Sequence, residues 1–505
     1  MKMALSNSLL RPPLAYRARR TARRWVGRVR EKLSERRFDY PSWLEAHVAQ
    51  RQPRLKIHAA PGQFSFLTGV YENTPPQLFQ ETAAALFAQT SSEFEWVLLA
   101  HGAIPETLQR VIADVATDPR VRLIELAENR GIIGGMRVCL DVATGEYVIP
   151  LDADDLLFPD ALQVFAQAIA DYDAPAFLYS DEDHFADGRP FAPFQRPAWD
   201  PVLNQAGSYI WHLCAFDRLA ALDLGVYSDT GSNYCHDWDS VFRFSRGGHS
   251  PQHVAEILYH WRTHATSHTN RRQPHPGSVQ SQRHVLETHI AAQPHPERYE
   301  VRPFPLDRGG EEWAITRKPI DPPTVDWICH TVSHATPCKD LGFPVHAQQI
   351  VACETSVIFE AVRNSQAEFV VIIANDLLPS EESIWEAIGL FEFHADVALI
   401  SGRIVNRAEI VVGAGEIRGA DGNYSCPERG RDALAPGPFS LWLKPRCIAA
   451  VEPRFCLVRT TFLNDLAGAE LPSEVALLGR WLGEAAQARG LRVATSPLIS
   501  ASLTN

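Results

Sequence analysis

From residue 64 the chain alternates short apolar runs with segments of helical period. FSFLTGV (64–70), EWVLLA (95–100), VRLIEL (121–126) and YVIPL (147–151) read as strands. Between them PPQLFQETAAALFAQ, PETLQRVIADVA and GMRVCLDVA read as helices. Strands separated by helices of ten to fifteen residues predict a mainly parallel sheet covered on both faces, with any ligand beyond the carboxyl ends of its strands. The pattern continues with the helix DALQVFAQAIADY and the strand AFLYS, which ends in a second acidic tip, Asp181-Glu182-Asp183. A proline-rich loop then leads to SYIWHLCAF, GSNYCHDWDSVFRFSRGG and ILYHWRTHATSHT. The composition shifts to Arg, Gln, His, Pro and Gly between about 270 and 310, which reads as a domain boundary. Beyond it, TSVIFEAVRNSQAEFVVIIANDLLPSEESIWEAIGLF echoes MRVCLDVATGEYVIPLDADDLLFPDALQVFAQAI, so an internal duplication is expected. The expected organisation is a basic helical extension over 1–60, a first α/β domain over 61–305 and a second over 306–505.

The 505-residue composition is that of a globular protein, 45% hydrophobic and 21% charged. No apolar run reaches membrane-spanning length and the N-terminus lacks the apolar core of a signal peptide, so a cytoplasmic protein is expected. Nine cysteines without a C-x-x-C pair argue against a disulfide framework or a zinc ribbon. The net charge is −12, yet residues 1–60 carry 15 Lys+Arg against 4 Asp+Glu. RARRTARRWVGRVREKLSERR predicts a basic, weakly amphipathic helix, suited either to an anionic membrane surface through residues 1–37 or to a solvated lead-in. The acidic remainder argues against nucleic-acid binding.

Three carboxylates, Asp152, Asp154 and Asp155, follow the apolar run YVIPL. Placing them at the tip of a buried strand is unfavourable unless they meet a cation. An Asp-x-Asp pair there suits Mg²⁺ or Mn²⁺ that also binds phosphate oxygens. Helix capping by Asp152 or Asp160 accounts for one acid at most. His236, Asp237 and Asp239 open the next candidate helix, where a carboxylate can act as a general base or simply favour the helix dipole. His260, His264 and His268 are spaced four apart, but ILYHWRTH reads as a strand, which does not put them on one face.

Together DPRVRLIELAENRGI, ATGEYVIPLDADDLLFPDAL, FLYSDEDHF, GSNYCHDWDSVFR and ILYHWRTHATS resemble the family 2 glycosyltransferases that build bacterial surface polysaccharides, and DYPSWLEAH resembles their lead-in. The resemblance implies a GT-A fold, a nucleotide-diphosphate sugar donor, a glycan or lipid-linked acceptor and inversion at the anomeric carbon. It makes Asp154 the metal ligand, Asp152 a donor contact and Asp237 the base. His264 becomes a later ligand to the metal or diphosphate, and His236, Asp239 and Asp155 supporting groups. Tyr71, Glu72, His101, Asp181 and Asp183 are expected around the donor. Two features depart from the family. Ala100-His101-Gly102-Ala103 stands where an Asp-Asp-Gly-Ser stretch holds the nucleobase, and the first strand carries FSFLTGVYEN. In the second domain Ala374-Asn375-Asp376 keeps one acid of the pair, and Glu474 stands where an acidic base motif is expected. That domain is expected to be a degenerate GT-A-like repeat. The rival reading of the whole chain is a non-catalytic glycan-binding or assembly subunit.

Overall fold

The computed structural model describes residues 38–263, 276–306, 312–330, 345–350, 355–466 and 468–503. The basic segment 1–37, His264 and His268 lie outside the described residues.

The first sheet is built from β1 (Phe64–Val70), β2 (Glu95–His101), β3 (Val121–Leu126), β4 (Tyr147–Pro150), β5 (Leu156–Leu157), β6 (Phe177–Ala186), β7 (Arg189–Phe194), β8 (Cys214–Asp217) and β9 (Gln252–Arg262). Its order is β3-β2-β1-β4-β8-β6-β9-β5, with β7 paired to β6. β1 runs parallel to both β2 and β4, placing Phe66 beside Trp96 on one side and Ile149 on the other. Both faces are apolar because helices cover both. Phe66, Trp96, Leu98 and Ile149 pack with Phe79, Ala83 and Leu86 of helix α2 (Pro76–Phe87). Leu67, Val97, Leu99 and Val148 meet helix α4 (Gly131–Val142) through Ile133, Met136, Cys139 and Leu140, a helical spacing. Helices α3 (Glu106–Val115) and α5 (Ala161–Asp171) complete one layer. The expected strands are observed, with one difference. The acidic tip at 181–183 lies inside the ten-residue β6, which continues through it.

Helix α1 (Tyr40–Arg51) docks on this domain through polar groups at both ends. Arg51 is 1% exposed; its Nε and Nη2 reach Asp160 at 2.9 and 2.5 Å, and its Nη1 donates to the Ile257 carbonyl. The Tyr40 hydroxyl donates to Asp183 at 2.6 Å. Asp160 therefore answers Arg51, and among the described residues its side chain makes no capping bond to α5.

Helices α6 (Pro201–Ala206), α7 (Arg218–Asp223), α8 (His236–Arg246) and α9 (Pro276–Ala291) lead to a ribbon of β10 (Tyr299–Pro303) and β11 (Trp313–Arg317). The expected boundary at 305/306 falls between these two paired strands. The second sheet comprises β12 (Val325–His330), β13 (Val345–Ile350), β14 (Phe369–Ala374), β15 (Leu377–Pro379), β16 (Val397–Val405), β17 (Val411–Gly413), β20 (Arg446–Ile448), β21 (Phe455–Arg459) and β22 (Arg492–Leu503). A separate ribbon, β18 (Ile417–Arg418) with β19 (Tyr424–Ser425), stands beside it. The order β13-β12-β14-β21-β16-β22-β15, with β17 on β16, repeats β2-β1-β4-β8-β6-β9-β5, with β7 on β6. Every corresponding pair keeps its direction: β12–β14 and β16–β22 are parallel like β1–β4 and β6–β9, while β14–β21 and β15–β22 are antiparallel like β4–β8 and β5–β9. Helices α10 (Thr355–Arg363), α11 (Glu381–Phe393), α12 (Thr460–Asn464) and α13 (Val475–Gln487) flank it. The duplication thus extends well beyond the echoing segment.

The two halves meet at α6. Val202 enters the second core, Asp200 accepts the Cys447 N–H at 2.7 Å, and Gln205 Oε1 contacts His394 Nε2 at 2.5 Å. Six described cysteines are free, whereas Cys329 is disulfide-bonded.

Candidate active site

Beyond Pro150 the backbone leaves the sheet and re-enters it at β5, so residues 152–155 form a short loop at the carboxyl end of β4. Asp152 is the exposed member, with 62% of its side chain accessible. Asp155 is buried, accepting the Tyr259 hydroxyl and the Arg262 N–H at 2.7 Å each, while its carbonyl accepts from Thr82 at 2.7 Å. It ties the loop to β9 and α2. Asp154, partly buried, sits between them.

The loop before β8 supplies a group not anticipated from the sequence. His212 Nε2 lies 3.5 Å from Asp152 Oδ2, while its Nδ1 lies 3.1 Å from Glu182 Oε2. Its ring stacks on Tyr259 with centroids 4.7 Å apart. Glu182 also accepts the Trp211 indole N–H at 2.6 Å and pairs with Arg196 at 3.0 Å, so the imidazole is held from behind by a carboxylate itself fixed on three sides. Burial works against the charged ring, yet the bonds to Asp152 and Glu182 outweigh it and hold its pKa well above the usual range. Asp152, Asp155 and His212 can bring one ligand atom each within 4.8 Å of one another. This trio contains Asp155, expected only as a support, and not Asp154.

Helix α8 brings Asp237 to the same end of the sheet. Its carboxylate accepts from the Ser208 hydroxyl at 3.4 Å. Tyr227, whose phenol is raised well above its usual range mainly by burial, also feels the charges of Asp237 and Asp152. His236 lies edge-on to Tyr227 at 5.8 Å and near enough for its charge to act on Asp152. Its buried Nδ1 has no hydrogen-bond partner among the described residues. Asp239 faces away, buried against Arg243 at 2.7 Å, one helical turn along. It therefore stabilises α8.

At the ends of β1 and β2 the structure gathers Glu72, His101 and Asn129. Gly102, at φ +86°, leaves no room for a side chain: a Cβ there would come within 3.0 Å of Glu72 Oε2 and 3.1 Å of Asn129 Cβ. Asn129 donates to Glu72 at 3.2 Å, and the Arg130 N–H reaches His101 Nδ1 at 3.1 Å. Burial lowers the His101 pKa, consistent with a neutral ring accepting that bond. Tyr71 is partly exposed beside them. Asp181 and Asp183 do not join this group. Asp181 accepts from the Arg196 N–H and meets His253, both at 2.8 Å, and Asp183 is closed off by Tyr40 and His260. The expectation that these two contact the donor is corrected, because β6 continues past them and its neighbours satisfy them. His260 is on β9, as the strand reading predicted.

Residues 65–226 match the glycosyl transferase family 2 model. That region is a family 2 glycosyltransferase domain. Its sheet is the GT-A arrangement, and the second sheet repeats it, among the described residues without a counterpart of β3. The chain is 31% identical over 232 residues to the uncharacterized protein y4gI of Sinorhizobium fredii, covering 45% of this chain and 25% of that protein. The O-antigen biosynthesis protein RfbC of Myxococcus xanthus is 26% identical over 292 residues, 55% of this chain and 22% of that one. The chain thus spans about a quarter of the length of these relatives. Staphylococcus aureus TarS (1–349) with UDP covers 47% of this chain and 69% of its own at 16% identity, with a TM-score of 0.38. The family assignment of the glycosyltransferase rests on the sequence match. Among the described residues no helix is long and apolar enough to cross a membrane.

Proposed function

We propose that the first domain transfers a sugar from a nucleotide diphosphate to a hydroxyl of a glycan or lipid-linked acceptor, with inversion, in surface-polysaccharide synthesis. The observation carrying this reading is the convergence of Asp152, His212 and Asp237 at the carboxyl end of the parallel strands of a family 2 domain. The similarity to an O-antigen biosynthesis protein supports the polysaccharide assignment.

The donor set fits a hard divalent cation. Asp152 and His212 Nε2 would hold it, the cation displacing the proton that the ring otherwise shares with Asp152, with Asp154 beside them, while Glu182 orients the imidazole from the far side. Asp155 has both oxygens engaged and keeps the loop in place. Bound Mg²⁺ or Mn²⁺ supplies positive charge against the departing diphosphate. Asp237 removes the proton from the acceptor hydroxyl as its oxygen attacks the anomeric carbon. The bond from that carbon to the diphosphate breaks in line, and the nucleoside diphosphate leaves. Tyr71, Glu72, His101 and Asn129 form the candidate nucleobase end, where Glu72 and the backbone take over from the missing family acid.

Calorimetry of the full chain against UDP, GDP and dTDP sugars with Mn²⁺ tests the reading. One sugar nucleotide is expected to bind only with Mn²⁺ and to lose binding in Asp152→Asn. No binding across the panel overturns it. The arginine-rich segment is assigned to an anionic membrane surface. Deleting residues 1–37 should then abolish flotation with anionic liposomes, and retained flotation removes that role.

A further inference from the structure

The position in the second sheet that corresponds to the catalytic end of the first is an open cleft of about 520 Å³, within the range of small-ligand sites. It lies where β12 and β14 end, since the Ala374 and Asn375 N–H groups are bonded to the carbonyls of Arg454 and His330 at 2.8 and 3.2 Å. Strand order makes β12 the counterpart of β1, β21 of β8, and α13, which precedes β22, of α8. The groups lining this cleft are therefore the successors of those around Asp152, His212 and Asp237, and they include three arginines, Arg429, Arg454 and Arg480, with two carboxylates, Glu416 and Glu452.

Arg454 occupies the approach to β21, as His212 occupies the approach to β8. Arg480 projects from the first turns of α13, and Arg429 stands exposed at the rim. Glu452 takes only Nε of Arg454, at 3.1 Å, and Glu416 takes Nε and Nη2 of Arg480, at 2.6 and 3.0 Å. Both terminal nitrogens of Arg454 and Nη1 of Arg480 have no acceptor among the described residues. Val475 and Ala476, the first residues of α13, also line the cleft, and Glu474 before them makes no side-chain capping bond among the described residues. The helix thus opens toward the cleft with uncapped N–H groups, an arrangement suited to an anion.

An independent sign of a ligand comes from His330 at the end of β12. It is 4% exposed and lines the cleft, and its Nε2 has no hydrogen-bond partner among the described residues. A buried ring nitrogen left without a partner is unfavourable unless something else bonds to it. Burial lowers the His330 pKa, and the neutral ring joins the arginine forks and helix N–H groups as a donor to phosphoryl oxygens in the tautomer that carries its proton on Nε2.

We propose that this second cleft is a metal-independent binding site for a diphosphate-bearing ligand, with Arg429, Arg454 and Arg480 supplying the positive charge that a cation would supply in the first domain. The diphosphate could belong to a nucleotide or to a prenyl carrier, and both present the same oxygens. The site does not depend on catalysis in the first domain.

The test is calorimetry on the full chain carrying Asp152→Asn, in EDTA, with inorganic pyrophosphate, UDP and farnesyl diphosphate as probes. Pyrophosphate is expected to bind, and Arg429→Glu, at an exposed position that leaves folding intact, to weaken it at least tenfold. Arg454→Gln and His330→Gln should each weaken it severalfold. Tighter binding of UDP or of farnesyl diphosphate than of pyrophosphate names the source, and equal binding makes the diphosphate the whole determinant. No binding in EDTA, binding only with Mn²⁺, or affinity unchanged in both Arg429→Glu and Arg454→Gln overturns the proposal. Failure of the first-domain reading would instead appear as absent Mn²⁺-dependent binding in the unmutated chain.

Discussion

At the carboxyl end of β4 the chain reads Asp152-Ala153-Asp154-Asp155, and at the same place after β14 it reads Ala374-Asn375-Asp376. The acid directly before β5 is Asp155, which holds the loop to β9; the acid directly before β15 is Asp376. By position Asp376 corresponds to Asp155, the carboxylate that fixes the loop, and not to an acid of the Asp152/Asp154 pair as expected from the sequence. His212, backed by Glu182, gives way to Arg454, backed by Glu452. One backbone plan thus carries an acid-rich loop at one end and an arginine-rich cleft at the equivalent one, because the strands are held by apolar packing and the ends are not.

The largest effect that separates the two ends should come from Asp237→Asn. It is expected to reduce sugar transfer about 10³-fold while donor binding by calorimetry stays within a fewfold. A transfer rate near that of the unmutated protein would place the base elsewhere. Arg51→Ala should cost about 3–5 kcal/mol in chemical denaturation, since it strands Asp160 inside the protein. A loss below 1 kcal/mol would show that α1 is dispensable. Glu182→Gln should weaken Mn²⁺ affinity roughly 10–100-fold, followed by Mn²⁺ resonance, while leaving pyrophosphate binding in EDTA intact. Loss of both would mean that the two clefts are not independent.

A smaller effect concerns Glu386, whose carboxyl burial pushes up to about 7. The folded protein keeps this proton to about pH 7, whereas the unfolded chain releases it near 4.5. Stability contributed by this group therefore falls as pH rises through that window, by at most about 3 kcal/mol given its partial exposure. Glu386→Gln should flatten the slope measured by denaturation between pH 5 and 8, and an unchanged slope would refute the assignment. The smallest effect belongs to Asp376→Asn, which should leave sugar transfer within twofold of the unmutated rate. A large loss there would give the second cleft a part in catalysis.

Much of the first sheet was legible because its apolar runs are separated by helices: FSFLTGV, buried on both faces, coincides with β1, and VRLIEL, whose apolar positions are partly buried while Arg122 and Glu125 face solvent, coincides with the edge strand β3. The acid loop was legible for the same reason, since three charges break an apolar run. His212 was not. It sits in a loop without periodicity, 60 residues from Asp152, and only the pairing of β4 with β8 brings them together. Asp181 and Asp183 misled because charge looks like a strand end until Arg196, His253, Tyr40 and His260 are seen to answer it. The second domain's full likeness was equally hidden. It lies in the order and direction of strands, which drift in sequence does not disturb as long as each stays apolar.

The docking of α1 has a practical consequence. The family match begins at residue 65, but the packing of the first domain already includes α1, over Tyr40–Arg51. A shortened protein started at the first strand would leave Asp160 and Glu256 without Arg51, and Asp183 without the tyrosine hydroxyl. Such a fragment would carry every candidate catalytic residue of the first domain and still be expected to fold poorly. Any minimal enzyme cut from this chain should start before the aromatic lead-in rather than at the family's edge.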